Sequence, residues 1–306
     1  MSAQVVEWEV GCESLGPAVV AIGVFDGVHL GHQTLVRDAV ALAWEKGVKS
    51  AVLTFDRDPE RVLCLDAPPP QLLTLEDKLA RLDELAPDIV LVVPFCTRLA
   101  EMVPDRFLSD VMTAAFEPVA VMVGEDFRFG RYASGNVESL RHFGGQHGFG
   151  VVAHRLVEAD GGPVTATRIR GLVAAGDVAA AARLIGRPHR VSGTVVHGRG
   201  EGVGLGVPTA NVIPHAEAAL PAAGVYGGRV ITSAGEFKAG ISVGRAPTFP
   251  KAIDVLEAHL IGFEGDLYGQ EITIEFTERL RDQRVFGSAE ELSAAMHEDL
   301  RYISEA

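Results

Sequence analysis

The chain has 306 residues, 47% of them hydrophobic, and a formal net charge of −14 at pH 7. This length allows two domains, and the hydrophobic content supports a sizeable core and disfavours disorder. The acidic balance comes without any Lys/Arg-rich run, so nucleic acids and anionic membranes are disfavoured as partners; small-molecule substrates are favoured, and a homo-oligomer is left open.

The first part of the chain alternates between short β-rich apolar runs and helical patterns. The runs cover residues 19–24, 51–55, 89–93 and 119–123. One helical pattern extends from about residue 31 to 46 and ends at Gly47, and a second carries Leu75, Leu79, Leu82 and Leu85. Strands that alternate with helices predict a parallel sheet with helices on both faces, which binds ligands at the carboxyl ends of its strands.

A third helical pattern covers residues 172–184. Near Arg190 the sequence pattern changes to short runs of valine and threonine separated by glycine-rich turns. After this point β-rich runs follow one another with no helical pattern between them, which predicts a compact antiparallel barrel. These runs cover residues 191–196, 224–231, 237–243, 256–261 and 271–276. A last helix is predicted from the capping pair Ser288 and Glu291, with Leu292, Met296 and Leu300 on its inner face.

The cysteines and the apolar runs indicate where the protein works. Cys12, Cys64 and Cys96 are far apart and odd in number, which fits neither a disulfide framework nor a zinc site. Residues 1–10 lack the apolar stretch of a signal peptide, and no apolar run approaches the ~20 residues of a membrane span. We therefore expect a cytoplasmic location.

The most informative segment, residues 22–33, lies at the end of the first apolar run. It contains three glycines and places His29 and His32 three residues apart, where a helix begins. Two imidazoles on one face of a first helical turn, beside free backbone N–H groups, predict a polyphosphate site. Such a site can hold a triphosphate in line for nucleotidyl transfer, and the Lys-bearing phosphate loop is absent. The alternative is a pair of ordinary histidines near a turn.

Three further segments carry groups suited to nucleotide chemistry. Residues 124–130 combine carboxylates and arginine with two aromatic rings, or form a polar loop with two core phenylalanines. Residues 165–170 offer hydroxyls and two arginines to phosphates, or cap a helix. Residues 198–211 have alternating glycines that allow close approach to phosphates, and Thr209 and Asn211 offer oxygens to Mg²⁺; the alternative is a glycine-rich hairpin.

Glu275 lies in the last predicted strand. Ile272, Ile274 and Phe276 form the apolar side of that strand, so Glu275 belongs to the opposite face. If that face lines a cavity, Glu275 is placed to accept a hydroxyl proton during phosphoryl transfer. If it does not, Glu275 is a surface glutamate.

Taken in this order, the segments resemble the bacterial bifunctional riboflavin kinase/FAD synthetase family over nearly the whole chain. The most specific marks are residues 23–33, the Pro-Thr-Ala-Asn of residues 208–211 and the Asp-Leu-Tyr-Gly of residues 266–269. The resemblance implies an α/β, Rossmann-like parallel sheet of the nucleotidyltransferase type, followed by an antiparallel six-stranded β-barrel with a C-terminal helix.

The resemblance also implies two reactions and roles for the marked residues. The α/β domain, residues 1–186, would transfer AMP from ATP to FMN, giving FAD and pyrophosphate. The barrel domain, residues 187–306, would transfer the γ-phosphate of ATP to riboflavin, giving FMN. His29 and His32 would act on the triphosphate, and Glu275 would be the base of the kinase. The remaining implied residues are Gly23, Phe25, Asp26, Gly31, Thr167, Arg168, Gly206 and Pro208 for ATP and phosphate, Asp126, Phe127 and Phe129 for flavin, and Thr209 and Asn211 for Mg²⁺.

The chain departs from the family pattern at several positions. Where the family commonly shows Pro-His-Pro after the second strand, residues 57–59 read Arg-Asp-Pro, which puts a carboxylate in place of an imidazole. Ala166 replaces a hydroxyl residue and Val207 the usual Phe. Glu201 and Val203 stand where basic residues are common. Two alternatives therefore stay open: a paralogue with one activity or an altered substrate, and a non-catalytic flavin- or nucleotide-binding protein.

Overall fold

A computed structural model of the chain describes residues 2–63, 68–198, 206–244 and 255–305. The described chain forms two compact units. The first contains Met1–Pro69 and Leu75–Thr165, and the second contains Pro70–Thr74 and Ala166–Ala306. Two positions noted above, Glu201 and Val203, lie outside the described residues, as does Cys64.

The first unit is built on a six-stranded parallel sheet with the strand order β1-β4-β3-β2-β5-β6. Its strands are β1 (Gln4–Glu7), β2 (Pro17–Ile22), β3 (Lys49–Phe55), β4 (Ile89–Val93), β5 (Glu117–Gly124) and β6 (Gly150–His154). A small hairpin, β7 (Glu158–Ala159) and β8 (Gly162–Pro163), follows the sheet. The predicted parallel sheet is confirmed.

Helices connect these strands. They are α1 (Leu30–Lys46), α2 (Glu60–Leu63), α3 (Leu75–Asp83), α4 (Thr97–Ala100), α5 (Pro104–Phe107), α6 (Thr113–Ala115) and α7 (Val137–His147), with 3-10 turns at Asp26–Val28 and Arg131–Ala133 and a π-helical turn at Leu108–Met112. The predicted first helix is confirmed, and Gly47 ends it in the left-handed conformation, with φ 66°.

The apolar runs became the buried strands because each is covered on both faces. All five residues of β4 are buried, as are the last five of β2. The edge strands β1 and β6 were not predicted, since their residues are mostly exposed or half-buried and carry no continuous apolar run. The sequence pattern therefore marks the centre of the sheet and misses its edges.

The second unit is a closed six-stranded antiparallel barrel with the order β10-β13-β12-β11-β14-β9, closed by the pairing of β9 with β10. Its strands are β9 (His189–Val196), β10 (Ala210–Pro214), β11 (Gly224–Thr232), β12 (Gly235–Gly244), β13 (Val255–Leu260) and β14 (Glu271–Arg281). The interior is apolar; Tyr226, Ile274 and Phe276 are fully buried in it. The predicted barrel is confirmed.

Helix α10 (Ala289–Glu305) follows the barrel, as predicted. The Ser288 hydroxyl accepts the Glu291 N–H at 3.2 Å, while the Glu291 carboxylate accepts the N–H of Gly287 at 3.0 Å. The helix buries Ala295 and Ile303 most deeply. The expected inner residues Leu292, Met296 and Leu300 are half-buried.

One predicted helix is wrong. Residues 172–184 do not form a single helix but belong to α8 (Ala166–Ala174) and α9 (Val178–Ile185). Gly176 adopts a positive φ of 80°, and the Asp177 carboxylate caps α9 by accepting the Ala180 N–H at 3.0 Å. Both helices belong to the barrel unit. The domain boundary after residue 186 stays a prediction.

Candidate active sites

The first candidate site lies at the topological switch point of the parallel sheet. Strand β2 has β3 on one side and β5 on the other, so the chain leaves these two neighbouring strands in opposite directions. Crevices at such points, outside the carboxyl ends of the strands, are the usual ligand sites of α/β sheets. The segments after β2 and β5 are residues 22–33 and 124–130, two of those singled out in the sequence.

The turn after β2 holds a strained backbone. Phe25 and Val28 have positive φ values of 56° and 38°, and Gly27 has a φ of 78°. Positive φ is costly for a bulky or β-branched residue and persists only where the surroundings hold it. Phe25 is fully buried, so its ring belongs to the core. Asp26 is also buried, at 7% exposure.

This turn delivers the two histidines as a stacked pair. Their ring centroids are 3.6 Å apart and their planes differ by 16°. His29 is the N-cap of α1, and its Nδ1 accepts the His32 backbone N–H at 3.4 Å. Gly31 makes the stack fit, because a Cβ there would lie 3.2 Å from the His29 ring. The structure therefore brings the predicted pair together at the N-terminus of a 17-residue helix.

The surroundings of His32 favour its neutral imidazole. Burial lowers the pKa of His32 well below its usual value, and the neighbouring His29 and Lys78 lower it further. Phe25 covers His32 edge-on, with ring centroids 5.1 Å apart. The Nδ1 atom of His32 is buried and has no hydrogen-bond partner within the described part of the chain. A polyanion bound beside the pair would favour the protonated form of His32.

The segment after β5 holds the three residues expected to bind flavin. Asp126 is exposed and Phe127 is half-buried. Phe129, in contrast, is only 7% exposed and packs on Phe127 and Phe107, with centroid distances of 5.4 and 5.9 Å. The Phe129 ring belongs to the buried cluster of the first unit. The flavin-binding roles of Asp126, Phe127 and Phe129 stay predictions.

The remaining expected phosphate ligands are spread over both units. Gly23 packs under the Phe25 ring, where a Cβ would lie 3.1 Å from the nearest ring atoms. Thr167 is exposed and Arg168 half-buried on α8. Gly206 has a positive φ of 74°, and among the described residues no neighbour lies within 4 Å of a Cβ placed there. The ligand roles of these residues stay predictions.

The second candidate site lies on the outer face of the barrel, around β10. The apolar residues of β10 and β13 point into the barrel, so Asn211 on β10 and the residues flanking Ala258 on β13 lie on the outer face. The His259 Nδ1 donates to the Pro208 carbonyl at 2.7 Å and so fixes the turn before Thr209. A side chain at Gly198 would overlap the Asn211 amide.

A carboxylate missed in the sequence lies beside Asn211. Glu257 on β13 is the direct antiparallel partner of Asn211 on β10. Directly opposite residues share a face and have Cβ atoms roughly 5 Å apart. Glu257 is half-buried, and its partner on the other side is Ser242 of β12. The alternation of Leu256, Ala258 and Leu260 marks Glu257 as outward-facing, but only the pairing of β10 with β13 shows which residue it meets.

Glu275, the expected base, lies elsewhere. It pairs with Arg190 across β9 and β14, whereas Asn211 pairs with Val196, six positions further along β9. Six positions correspond to about 20 Å at ~3.3 Å per residue. The Glu275 carboxylate accepts the Arg190 guanidinium at 2.6 Å, and both side chains are 13% exposed. The structure thus contradicts a role for Glu275 beside Thr209 and Asn211, because it is an ion-paired residue at the other end of the strand.

Comparison with known proteins now adds to the geometry. The FAD synthetase family model matches residues 12–168, and the riboflavin kinase family model matches residues 185–306. The chain belongs to the bifunctional riboflavin kinase/FMN adenylyltransferase family. The resemblance found in the sequence is therefore confirmed.

Relatives from distant bacteria match the chain almost end to end. The bifunctional riboflavin kinase/FMN adenylyltransferase of Haemophilus influenzae is 33% identical over 92% of this chain and 91% of its own. That of Bacillus subtilis is 33% identical over 95% and 94%, and that of Pseudomonas fluorescens is 35% identical over 92% and 90%. Each of these matches therefore spans most of both chains.

A solved structure shares the fold over the whole chain. It is titled as a macrolide-efflux protein from Streptococcus pneumoniae, is 27% identical, covers 99% of both chains and superposes with a TM-score of 0.87. In the part of the present chain that the structure describes, no helix combines the length and the apolar character needed to cross a bilayer.

Proposed function

We infer that the chain carries out both reactions named in its relatives: it phosphorylates riboflavin to FMN with ATP and adenylylates FMN to FAD with release of pyrophosphate. The observation that carries this inference is the match of both family models to consecutive parts of one chain. Each matched part contains a group of polar side chains suited to its reaction, the histidine pair in one and the Asn211–Glu257 pair in the other.

For adenylyl transfer we propose that the histidine pair and the start of α1 hold the ATP triphosphate. The FMN phosphate oxygen attacks the α-phosphorus, and the bond to the β-phosphate oxygen breaks as pyrophosphate leaves. The protein has to align the two partners and stabilise the charge that develops on the leaving group. His29, His32 and the positive end of the α1 helix dipole suit that task.

For the kinase reaction we propose Glu257 as the general base in place of Glu275. A carboxylate beside Asn211 can accept the proton of the ribityl hydroxyl while that oxygen forms its bond to the γ-phosphorus and ADP leaves. His259 is proposed to position Thr209 and Asn211, because its hydrogen bond to the Pro208 carbonyl fixes the turn that precedes them.

The oxygen ligands of the barrel site fit Mg²⁺. Thr209 and Asn211 supply a hydroxyl and an amide oxygen, and the hard cation prefers such ligands together with substrate phosphates. When bound there, the ion would neutralise phosphate charge. Asp126, Phe127 and Phe129 remain the proposed flavin contacts of the adenylyltransferase site.

The cytoplasmic location expected from the sequence accords with the use of ATP as co-substrate and stays a prediction. Small-molecule substrates follow from the proposed reactions. Neither the exclusion of nucleic-acid partners nor the assembly into a homo-oligomer is tested by the fold.

A product assay on the full chain tests this function. The protein is incubated with riboflavin, ATP and Mg²⁺, and the flavins are separated by chromatography; a second reaction starts from FMN. We expect FMN and FAD from the first reaction and FAD from the second. FMN without FAD would identify an enzyme with a single activity, and flavin binding without turnover would identify a sensor.

A further inference from the structure

Lys78 is a buried lysine at the edge of the adenylyltransferase crevice that the proposed chemistry does not use. It lies on α3 and is 6% exposed. Its Nζ donates to the carbonyls of Val24, at 3.2 Å, and Phe55, at 2.5 Å. Those carbonyls stand at the carboxyl ends of two neighbouring strands, β2 and β3. A buried ammonium is costly unless its hydrogen bonds and charge are satisfied, so its position calls for an explanation.

The first of these carbonyls begins the strained turn. Val24 directly precedes Phe25, the first of the positive-φ residues. Its carbonyl also accepts the Thr54 hydroxyl at 3.1 Å, and Thr54 has no exposed surface. Two buried donors therefore hold the peptide from which the histidine-bearing turn departs.

The charge of Lys78 interacts with nearby carboxylates and with His32. Burial lowers the pKa of Lys78 to about 8, against the opposing effect of Asp26, Asp56 and Asp58, whose carboxylates raise it. On α1, the same charge contributes to the low pKa of His32. The acidic residue at position 58 thus lies close to a buried cation, which offsets its repulsion of a phosphate.

We propose that Lys78 is a positioning residue of the adenylyltransferase site. Its ammonium holds the Val24 and Phe55 carbonyls together and thereby fixes the turn that presents His29 and His32 to the triphosphate. This inference rests on the proposed FMN adenylyltransferase activity of the same unit.

The decisive variant is Lys78→Met in the full chain. Methionine keeps the volume and removes the ammonium with both hydrogen bonds, and apolar replacements of buried charged groups are often well tolerated. We expect kcat/KM for ATP in FAD formation to fall by about 100-fold, the loss that a misplacement of about 1 Å produces. FMN formation from riboflavin, measured on the same sample, should stay within about twofold of wild type, since Lys78 belongs to the other unit.

A charged replacement separates positioning from simple packing. Lys78→Arg keeps a cation that can donate to both carbonyls, so it should restore part of the lost FAD formation. In wild type, kcat/KM for ATP should decline as the pH rises through about 8, because the neutral amine makes weaker hydrogen bonds than the ammonium. In Lys78→Arg this decline should move to higher pH.

A matched control is Lys49→Met. Lys49 also donates to a carbonyl, that of Leu15 at 3.2 Å, but it is exposed and lies at the amino end of β3. This variant should keep both activities.

Three outcomes would overturn the inference. The first is wild-type FAD formation in Lys78→Met, and the second is an equal loss of both activities with a lowered melting temperature in both Lys78 variants. The third is a wild-type chain that forms no FAD at all, which would remove the proposed function as well. Since this last result comes from the wild-type protein alone, the two failures are distinguishable.

Discussion

Two glutamates on the outside of the barrel differ only in what they meet. Glu257 faces Asn211 across a strand pair, whereas Glu275 is held by Arg190. The sequence pattern assigns both to an outward-facing position, so alternation alone gives no reason to prefer one. The neighbour across the sheet is the reason for proposing Glu257 as the base.

Paired substitutions test this distinction. We expect Glu257→Gln to lower kcat for FMN formation by at least about 100-fold, the usual contribution of a general base, with little change in melting temperature. We expect Glu275→Gln to keep kcat within about twofold and to lower the free energy of unfolding by about 1–3 kcal/mol, because the ion pair with Arg190 is lost. Steady-state kinetics and thermal melts of both variants are the measurement. A large loss of kcat in Glu275→Gln alone would reinstate Glu275.

The strands themselves were largely predictable from the sequence. Continuous apolar runs marked β2, β3, β4 and β5, since a parallel strand covered on both faces has no polar side. Strand β10 was not predicted as a strand, because Pro208 and the neighbouring glycines read as a loop. The pairing of β10 with β13 joins segments that are far apart in the chain, and local patterns carry no information about such pairing.

The same limit explains the uneven prediction of the sites. The histidine pair was predictable because strand, turn and helix follow one another within residues 19–46, a local arrangement. The proposed kinase site is assembled from different strands, and the pairing of Glu257 with Asn211 could not be read from the sequence. Lys78 carries no motif of its own, and only the fold reveals that its ammonium meets the ends of β2 and β3.

Strand β9 begins with a buried histidine that makes the barrel unit sensitive to acid. Burial lowers the pKa of His189 to about 4 from the ordinary 6.5, although its ring donates from Nε2 to the Ala219 carbonyl at 2.7 Å. The unfolded chain therefore binds the proton more readily than the folded chain between these pH values. Stability falls as the pH drops from about 6.5 towards 4.

The size of this effect can be measured. At pH 5 the low pKa of His189 should lower the free energy of unfolding by about 2 kcal/mol relative to neutral pH. His189→Gln keeps a donor for the Ala219 carbonyl but does not titrate, so its unfolding free energy should fall less steeply between pH 7 and pH 5. Denaturant melts at the two pH values provide the comparison. An identical pH dependence in both proteins would show that His189 is not responsible.

On the scale of the whole molecule, two sites on two compact units make the reactions separable by substitution. His32→Ala should form FMN from riboflavin but no FAD. Glu257→Gln should form FAD from supplied FMN but not from riboflavin. Chromatography of the flavin products distinguishes these cases.

A mixture of the two variants then tests whether FMN passes freely through solution. Because FMN is a small soluble product, it can leave one protein and bind to the other, so the mixture should form FAD from riboflavin although neither variant does so alone. Each variant at the doubled concentration is the control. Absence of FAD from the mixture would contradict independent sites linked by a diffusing intermediate.

The strand order of the parallel sheet also sets a sequence of events during synthesis. Strand β1 pairs with β4, so β1 cannot be paired in the sheet until Ile89 and the rest of β4 have left the ribosome. Strands β2 and β3 are adjacent in both chain and sheet, and they emerge as the first pair able to dock. The nascent chain can therefore begin to form the turn that carries His29 and His32 while β1 is still unpaired.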